Sequence, residues 1–298
     1  MNVLGCEEAI ATSESVVLCF KGGVLLPRVR VGEIYLYYES HGDGFPLVMI
    51  MGLGGPVETW DKYIIDEFSR EFQVIVFDNR GSGRSDVPEG SYTVEMLAED
   101  TAGLMSVLGV ERAHVLGVSM GGMIAIELAL RHPEMVEKLV LCSTSGGVSR
   151  FVPPKMEVLK SLKELTGGSP EDALEGLLRI MYTEDFIAEH PDRIKEFIER
   201  VRGAPFSTEG FTRQLGAIMV YDAHGRLHNI KQPTLILAGK KDVLVPYENS
   251  VILSEEIPNS KLVLFDDAAH GLHSQKREEF CRIVLEFLKN HGNQIKSH

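Results

Sequence analysis

A serine stands between two glycines in residues 117–121, which have the sequence Gly-Val-Ser-Met-Gly. The apolar run His114 to Val118 before it is typical of a buried strand, and the segment Met120 to His132 after it predicts a helix. A turn this tight favours glycine, and it exposes the serine hydroxyl beside the free N–H groups of a helix N-terminus. The pattern predicts Ser119 as a nucleophile. The alternative is a glycine-flanked turn with an incidental serine.

A serine hydroxyl needs a base to accept its proton, and the base needs an orienting acid. Asp242 follows the apolar run Thr234 to Ala238, and His270 follows the run Lys261 to Phe265. The carboxyl ends of parallel strands meet at one edge of a sheet, so the loops after these strands can converge there. We therefore expect Ser119, Asp242 and His270 to form a catalytic triad.

Other titratable residues close to His270 compete for these roles. Asp266 and Asp267 precede it, and His273 follows it by three residues. We interpret Asp267 and His273 as solvated loop residues.

Metal and nucleotide sites are not expected. His224 and His228 have the i, i+4 spacing of zinc ligands, but the segment lacks the glutamate of a zinc-protease motif and contains a glycine. We interpret both as surface or linker histidines. The glycine-rich turns at 52–54 and 81–83 lack the last glycine of a dinucleotide motif and the Gly-Lys-Ser/Thr of a P-loop. No cofactor and no metal is therefore predicted.

Apolar runs alternate with helix-like segments along most of the chain, which predicts a mostly parallel α/β sheet. No pattern assigns a structure to the first 27 residues. The predicted elements are a hairpin at 28–38 turned at Gly32-Glu33, strands at 47–51, 74–77, 114–118, 139–143, 234–238 and 261–265, and helices at 59–69, 94–108, 120–132, 248–256 and 276–289.

The alternation stops between residues 146 and 228, where helical segments follow one another without a strand between them. Residues 169–172, Ser-Pro-Glu-Asp, provide a capping hydroxyl, a first-turn proline and two acids, and a second helix start lies near Pro191. This predicts a helical cap at 146–228, inserted between a first part of the core at 1–145 and a second part at 229–298.

Composition limits the partners and the compartment. A net charge of −13 opposes binding to nucleic acid or to anionic lipid, and no apolar stretch approaches the length of a membrane span. The four cysteines form no CxxC pair, which suits a reducing compartment. We expect a cytoplasmic protein that acts on a small molecule without nucleic acid or membrane as partner; a monomer and a homodimer both remain open.

These features together resemble the α/β-hydrolase superfamily over about Val29 to Leu288. Three segments carry the resemblance: Gly-Val-Ser-Met-Gly-Gly at 117–122, Asp-Asn-Arg-Gly-Ser-Gly-Arg-Ser at 78–85 and Pro-Thr-Leu-Ile-Leu-Ala-Gly at 233–239. The second is similar to the family's D-x-R-G-x-G-x-S loop, in which we interpret Arg80 and Arg84 as structural. The resemblance implies the α/β-hydrolase fold, with a central sheet flanked by helices and an inserted cap, and it favours Asp242 and His270 over their competitors.

The same resemblance implies an oxyanion hole. Residues 51–55, Met-Gly-Leu-Gly-Gly, match the family's oxyanion loop, although the family commonly has His-Gly where this chain has Met51-Gly52. Because the family uses backbone N–H groups there, the implied donors are those of Leu53 and Met120. A plain glycine turn is the alternative.

The serine branch that the elbow resembles most contains carboxylesterases and enol-lactone hydrolases with a helical cap, which implies hydrolysis of an ester or lactone. Three alternatives stay open: a carbon–carbon bond hydrolase of ring-cleavage products, a perhydrolase or haloperoxidase-like enzyme, and a non-catalytic receptor. Relatives of the first kind often have a tryptophan soon after the catalytic histidine, whereas Gly271 follows His270 here.

Overall fold

The computed structural model describes residues 8–11, 16–21, 24–154, 158 and 169–290. Part of the predicted cap, 155–157 and 159–168, lies outside the described residues. None of the described helices is long and apolar enough to cross a lipid bilayer.

Within the described residues, ten strands form one sheet. They are β1 (Glu8–Ala11), β2 (Val16–Lys21), β3 (Val24–Val31), β4 (Ile34–His41), β5 (Phe45–Ile50), β6 (Phe72–Phe77), β7 (Ala113–Val118), β8 (Val136–Cys142), β9 (Thr234–Gly239) and β10 (Ser260–Phe265). Their order is β1-β2-β3-β4-β6-β5-β7-β8-β9-β10. Pairing is antiparallel from β1 through β4 to β6 and parallel among the others.

The helices follow the strands in the alternation that the sequence predicts. In the described part of the chain they are α1 (Lys62–Phe68), α2 (Val94–Val107), α3 (Met120–Arg131), α4 (Pro170–Met181), α5 (Glu184–Glu189), α6 (Pro191–Arg202), α7 (Thr208–Ile218), α8 (Glu248–Glu256), α9 (Leu272–Gln275) and α10 (Arg277–Lys289). This is the α/β-hydrolase fold, with a mostly parallel sheet flanked by helices.

The inner parallel strands are buried on both faces, which explains their continuous apolar sequences, whereas β10 at the edge of the sheet is mostly half-buried. All residues of β7 and β9 are buried. Along β7, Val115 packs into one apolar cluster with residues of α2 and α3, and Leu116 packs into a second with residues of α1 and α10. Full burial of each such side chain contributes about 1.5–3 kcal/mol, so the two clusters hold the helices against the sheet.

Two segments differ from the prediction. β1, β2 and the start of β3 lie in the 27 residues without an assigned pattern, and they form strands by pairing antiparallel with one another along the chain. β8 begins at Val136 rather than at residue 139. The buried Lys138 falls in the missed part, where its ammonium group donates to the carbonyl oxygens of Phe287 and Leu288 at 2.9 Å each.

The helices α4 to α7 lie between β8 and β9, in the region that we name the helical insertion (residues 146–228). Both predicted helix starts are present. The Ser169 hydroxyl accepts from the Asp172 N–H at 3.1 Å while the Asp172 carboxylate accepts from the Ser169 N–H at 3.3 Å, and α6 begins at Pro191. The domain boundaries at 145 and 228 remain predictions.

Candidate active site

Ser119 lies in a strained turn between β7 and α3, with φ 56° and ψ −121°. Non-glycine residues rarely adopt a positive φ, and such strain persists only where the surroundings enforce it. The surroundings here are backbone: a Cβ at Gly121 would overlap the carbonyl oxygen of Ile50, and a Cβ at Gly117 would overlap the carbonyl of Gly121. The predicted glycine requirement of this turn is therefore visible as close backbone contacts.

Hydrogen bonds from the neighbouring strand fix the same turn. The Ser119 N–H donates to the carbonyl of Cys142 at 2.9 Å. The Ser119 carbonyl accepts from the Thr144 hydroxyl at 2.7 Å and from the Gly122 N–H at 2.9 Å. With both backbone polar groups bonded, the hydroxyl of Ser119 is the group that the turn leaves for chemistry.

His270 and Asp242 form a buried pair. The Nδ1 of His270 lies 2.8 Å from the Oδ2 of Asp242, and the two side chains are 6% and 0% exposed. The other carboxylate oxygen of Asp242 accepts from the N–H groups of Leu244 at 2.9 Å and Val245 at 2.8 Å. A carboxylate held in this way accepts the Nδ1 proton, which leaves Nε2 of the neutral imidazole as a proton acceptor.

Ser143 connects the loops that carry Ser119 and His270. It follows β8 with φ 49°, its N–H donates to the carbonyl of Leu237 at 2.9 Å, and its hydroxyl donates to the carbonyl of His270 at 3.0 Å. Because Cys142, the preceding residue, accepts from Ser119, the loops after β7, β8, β9 and β10 meet at one edge of the sheet. Ser143 was not predicted as a site residue, and its only signal in the sequence is its place as the last residue of a predicted strand.

The structure brings together Asp242 and His270, but no hydrogen bond joins the Ser119 hydroxyl to the His270 ring, both of which lie in the described part of the chain. In ligand-free enzymes such catalytic hydrogen bonds are often long and tighten only when substrate is bound.

The turn for which the resemblance implies an oxyanion hole, named here the oxyanion turn (residues 52–55), lies against Ser119. A Cβ on Gly52 would be 3.0 Å from the Cβ of Ser119 and 3.6 Å from its hydroxyl oxygen. The turn is closed by a hydrogen bond from the Gly55 N–H to the Gly52 carbonyl at 3.1 Å. Among the described residues, no group of the chain accepts a hydrogen bond from the N–H of Leu53 or Met120. Within this part of the chain, both implied donors therefore have an N–H without an acceptor.

His273 differs from the prediction that it is a solvated loop residue. Its side chain is fully buried and packs edge-on against Trp60 at 5.6 Å and against Phe280 at 6.2 Å between ring centroids. Burial, followed by the charge of His270, lowers the pKa of His273 from 6.5 to about 4. His273 is therefore a neutral core residue, because α9 begins at Leu272, two residues after His270, and turns the His273 side chain inward. Asp267 is exposed and pairs with Lys276 at 2.5 Å.

Of the two spaced histidines, only His228 is exposed as expected. The His224 side chain is 7% exposed, and its Nδ1 lies 2.7 Å from a carboxylate oxygen of Glu256, so the surface interpretation was wrong for it.

Arg80 pairs with Asp100 and Arg84 pairs with Glu58. Within the residues that the structure describes, no cluster of three or more histidine, cysteine or acidic side chains could hold a metal ion.

The helical insertion contacts the segment that carries His270. Directly after His270, the N–H of Gly271 donates to the carbonyl of Met181 at 2.8 Å. The Tyr182 hydroxyl lies 3.0 Å from that of Ser274, and the side chain of Gln275 donates to the Thr183 hydroxyl at 2.9 Å. No sequence motif predicts these contacts, which bind the end of α4 to residues 271–275.

Comparison with known proteins gives two family matches and full-length relatives. A family profile described as alpha/beta hydrolase fold matches residues 46–177, and one described as TAP-like protein matches residues 219–292. The chain is 31% identical over 262 residues to a protein of Azorhizobium caulinodans named "putative carbamate hydrolase RutD", which covers 88% of this chain and 98% of the relative.

Two further proteins are similar over most of their length. A 2-hydroxy-6-oxo-6-phenylhexa-2,4-dienoate hydrolase of Comamonas testosteroni is 29% identical over 277 residues, 87% of this chain and 93% of the relative. The crystal structure of the enol-lactonase from Burkholderia xenovorans LB400 superimposes with a TM-score of 0.78 at 26% identity, covering 89% of this chain and 100% of that one. The fold, the elbow and these relatives together place the chain in the alpha/beta hydrolase family.

Proposed function

We propose that this protein is a serine hydrolase that cleaves a carboxylic ester or lactone of a small substrate through an acyl-enzyme on Ser119. The observation that carries the proposal is the strained elbow at Ser119 on the same sheet edge as the buried pair of His270 and Asp242. A nucleophile, a base and an acid on one edge are the parts that acyl transfer requires.

In the first half of the reaction, Ser119 attacks the substrate carbonyl while the Nε2 of His270 accepts the hydroxyl proton. Asp242 stabilises the imidazolium that forms, since its carboxylate is held by two backbone N–H groups and by Nδ1. The tetrahedral intermediate carries negative charge on the former carbonyl oxygen. The free N–H groups of Leu53 and Met120 beside Ser119 would bind that oxygen.

In the second half, the intermediate collapses and the alkoxide leaving group takes the proton from His270. Water then attacks the acyl-enzyme, with its proton passing to Nε2 of the same histidine. The second tetrahedral intermediate collapses, the acid product leaves, and the Ser119 oxygen takes the proton back from His270. In a lactone the leaving group stays attached to the acyl chain, so one hydroxy acid is released.

We propose that the helical insertion acts as a cap that selects the substrate. Its helix α7 packs on the oxyanion turn, where a Cβ on Gly54 would lie 2.7 Å from the ring of Phe211. Phe206 lies next to Phe211, with 5.8 Å between ring centroids, and is 56% exposed. Aromatic side chains beside the oxyanion turn would contact the acyl part of a substrate and favour an apolar one.

Ester or lactone hydrolysis is favoured over the alternatives by the match to an enol-lactonase and by the residues after His270. Carbon–carbon bond hydrolysis is the second candidate, because a phenylhexadienoate hydrolase is 29% identical to this chain. The segment Gly271-Leu272-His273 weighs against it, because such relatives often have a tryptophan soon after the catalytic histidine and this segment has none. The Gly271 N–H bonds to Met181, and a Cβ there would lie 2.7 Å from the Met181 carbonyl oxygen, so a larger residue at this position would displace the insertion.

The test is turnover of p-nitrophenyl acetate together with labelling by a fluorophosphonate. We expect the wild-type protein to be labelled and to turn over the ester, and Ser119→Ala to lose labelling and about four orders of magnitude in kcat. The control is Ser106→Ala, which removes an exposed hydroxyl on α2. Turnover by Ser119→Ala within about tenfold of the wild type would refute the proposal.

A substrate panel then separates the bond types. It contains p-nitrophenyl esters of increasing acyl length, simple lactones, an N-substituted carbamic acid and a ring-cleavage dienoic acid. We expect kcat/KM to be highest for an ester or a lactone. A preference for the dienoic acid or the carbamic acid would keep the role of Ser119 and change the substrate class.

A further inference from the structure

Helix α7 of the helical insertion lies directly on two loops of the core. One is the oxyanion turn, and the other contains Arg80 to Ser82. The backbone of α7 is in close contact with that of the second loop, since a Cβ on Gly210 would overlap the carbonyl of Gly81. This contact brings the first turn of α7 to the edge of the sheet that carries Ser119.

Gln214, on the next turn of α7, joins these loops through its side-chain amide. It is fully buried. Its Oε1 accepts from the N–H of Gly54 at 2.8 Å, and its Nε2 donates to the carbonyl of Arg80 at 2.6 Å and to the hydroxyl of Ser82 at 2.9 Å. The amide can take only this orientation, because a backbone N–H can only donate and a backbone carbonyl can only accept.

The bond to Gly54 lies in the same turn as the Leu53 N–H. Leu53 N–H shares a peptide plane with the Gly52 carbonyl, which accepts from the Gly55 N–H at 3.1 Å. Gln214 holds the Gly54 N–H within that turn, and Gly54 has φ 66°. The Asn79 side chain holds the residue before the turn by donating to the Met51 carbonyl at 3.1 Å. Among these contacts, only the one from Gln214 comes from the helical insertion.

We propose that Gln214 is a positioning residue that sets the oxyanion turn from the helical insertion, so that the Leu53 N–H points to the oxygen of the tetrahedral intermediate. The inference rests on the proposed function, because it assigns an orientation to a donor of that same site. It makes the insertion part of the machinery for stabilising the transition state, in addition to its role in selecting the substrate.

The experiment compares Gln214→Met with Gln232→Met in the full chain. Gln232 is a matched control: it is a buried glutamine before β9 whose amide accepts from the Lys231 N–H at 3.1 Å and donates to the Pro133 carbonyl at 2.9 Å. Both variants lose buried hydrogen bonds, and thermal unfolding reports the resulting loss of stability. Only Gln214→Met removes a contact to the oxyanion turn.

We expect Gln214→Met to lower kcat for p-nitrophenyl acetate about 10- to 100-fold with KM changed less than about threefold, since removing an oxyanion donor outright costs about 100- to 1000-fold. Binding of a trifluoromethyl ketone, which adds to the serine as a tetrahedral anion, should weaken by the same factor as kcat/KM. Gln232→Met should keep both values. Equal kcat in the two folded variants would overturn the inference.

If Gln214→Met does not fold, the variant Gln214→Glu tests the role of Gln214 instead. Its buried side chain in the neutral form can accept from Gly54 and donate to Arg80, whereas the carboxylate repels the Arg80 carbonyl. The ratio of variant to wild-type kcat should therefore fall as pH rises from 6 to 8.5, and taking the ratio removes any pH dependence that the two proteins share. A ratio that does not change with pH would overturn the inference.

The results for Ser119 and for Gln214 together distinguish the proposed function from the inference about Gln214. Labelling and turnover that depend on Ser119, combined with unchanged kinetics in the Gln214 variants, would overturn only the role of Gln214. Turnover that does not depend on Ser119 would overturn the proposed function, and the inference with it.

Discussion

The nucleophile elbow and the oxyanion turn lie side by side but are held in different ways. The elbow is enforced by glycines two residues on either side of Ser119 and by the ends of neighbouring core strands. The oxyanion turn also depends on Gln214, which is 160 residues away in the helical insertion. The comparison teaches that the position of Ser119 is fixed by contacts within the core, whereas the turn beside it is also bonded from the helical insertion.

The segment that contains His270 is held both from the core and from the helical insertion. Asp242 and Ser143 hold His270 from the core, and Met181 and Tyr182 hold the residues after it from the insertion. Changes in the insertion should therefore affect the oxyanion turn and this segment, and should leave the elbow intact.

The largest effect is expected from breaking the elbow itself. Gly121→Ala places a methyl group into the carbonyl of Ile50, so the backbone must shift. We expect the free energy of unfolding to fall by about 3 kcal/mol, with loss of fluorophosphonate labelling, as measured by urea denaturation and by gel fluorescence.

Gly216→Ala in α7 is the control, because an added Cβ there meets no atom within 4 Å. It should raise stability by up to about 1 kcal/mol through better helix propensity and should leave labelling unchanged. Normal labelling and stability in Gly121→Ala would contradict the steric account of the elbow.

The next effect concerns burial of His273 behind the His270 segment, where His270, Asp61 and Arg200 are the charged groups that act on it. Its pKa of about 4 lies below the 6.5 of an unfolded chain. At a pH between these two values, His273 therefore takes up a proton when the protein unfolds. The free energy of unfolding should therefore fall by about 2 kcal/mol as pH drops from 7.5 to 4.5.

His273→Gln, which cannot take up that proton, should lose this part of the decline in urea denaturation at the two pH values. His228→Gln changes an exposed histidine and should follow the wild type. If His273→Gln showed the same decline as the wild type, His273 would not be neutral and buried in the folded protein.

The smallest effect tests one contact between the insertion and the His270 segment. Tyr182→Phe removes the hydroxyl that lies 3.0 Å from that of Ser274, and both residues are buried. We expect a loss of about 1 kcal/mol in the free energy of unfolding with fluorophosphonate labelling retained, because the elbow is untouched. A variant that folds but is not labelled would show that the elbow also depends on the insertion.

Most of the sheet and the helices could be predicted because their signals are local. Apolar runs such as Thr234 to Ala238 appear as strands within a residue or so, and Ser169 begins a helix through its own hydroxyl. Prediction was wrong where a distant partner changes the environment of a polar residue. Lys138 is buried because the carbonyls at the end of α10 accept its protons, and His224 because Glu256 pairs with it.

The sequence by itself determined the alternation of strands and helices, the glycine-flanked turn at Ser119 and the placement of Asp242 and His270 after later strands, because each depends on neighbours within a few residues. Only the tertiary structure decided that Asp242 contacts His270, that His273 is neutral in the core, and that Gln214 holds the oxyanion turn. These depend on which distant segments the folded chain packs together, and no spacing along the chain encodes that.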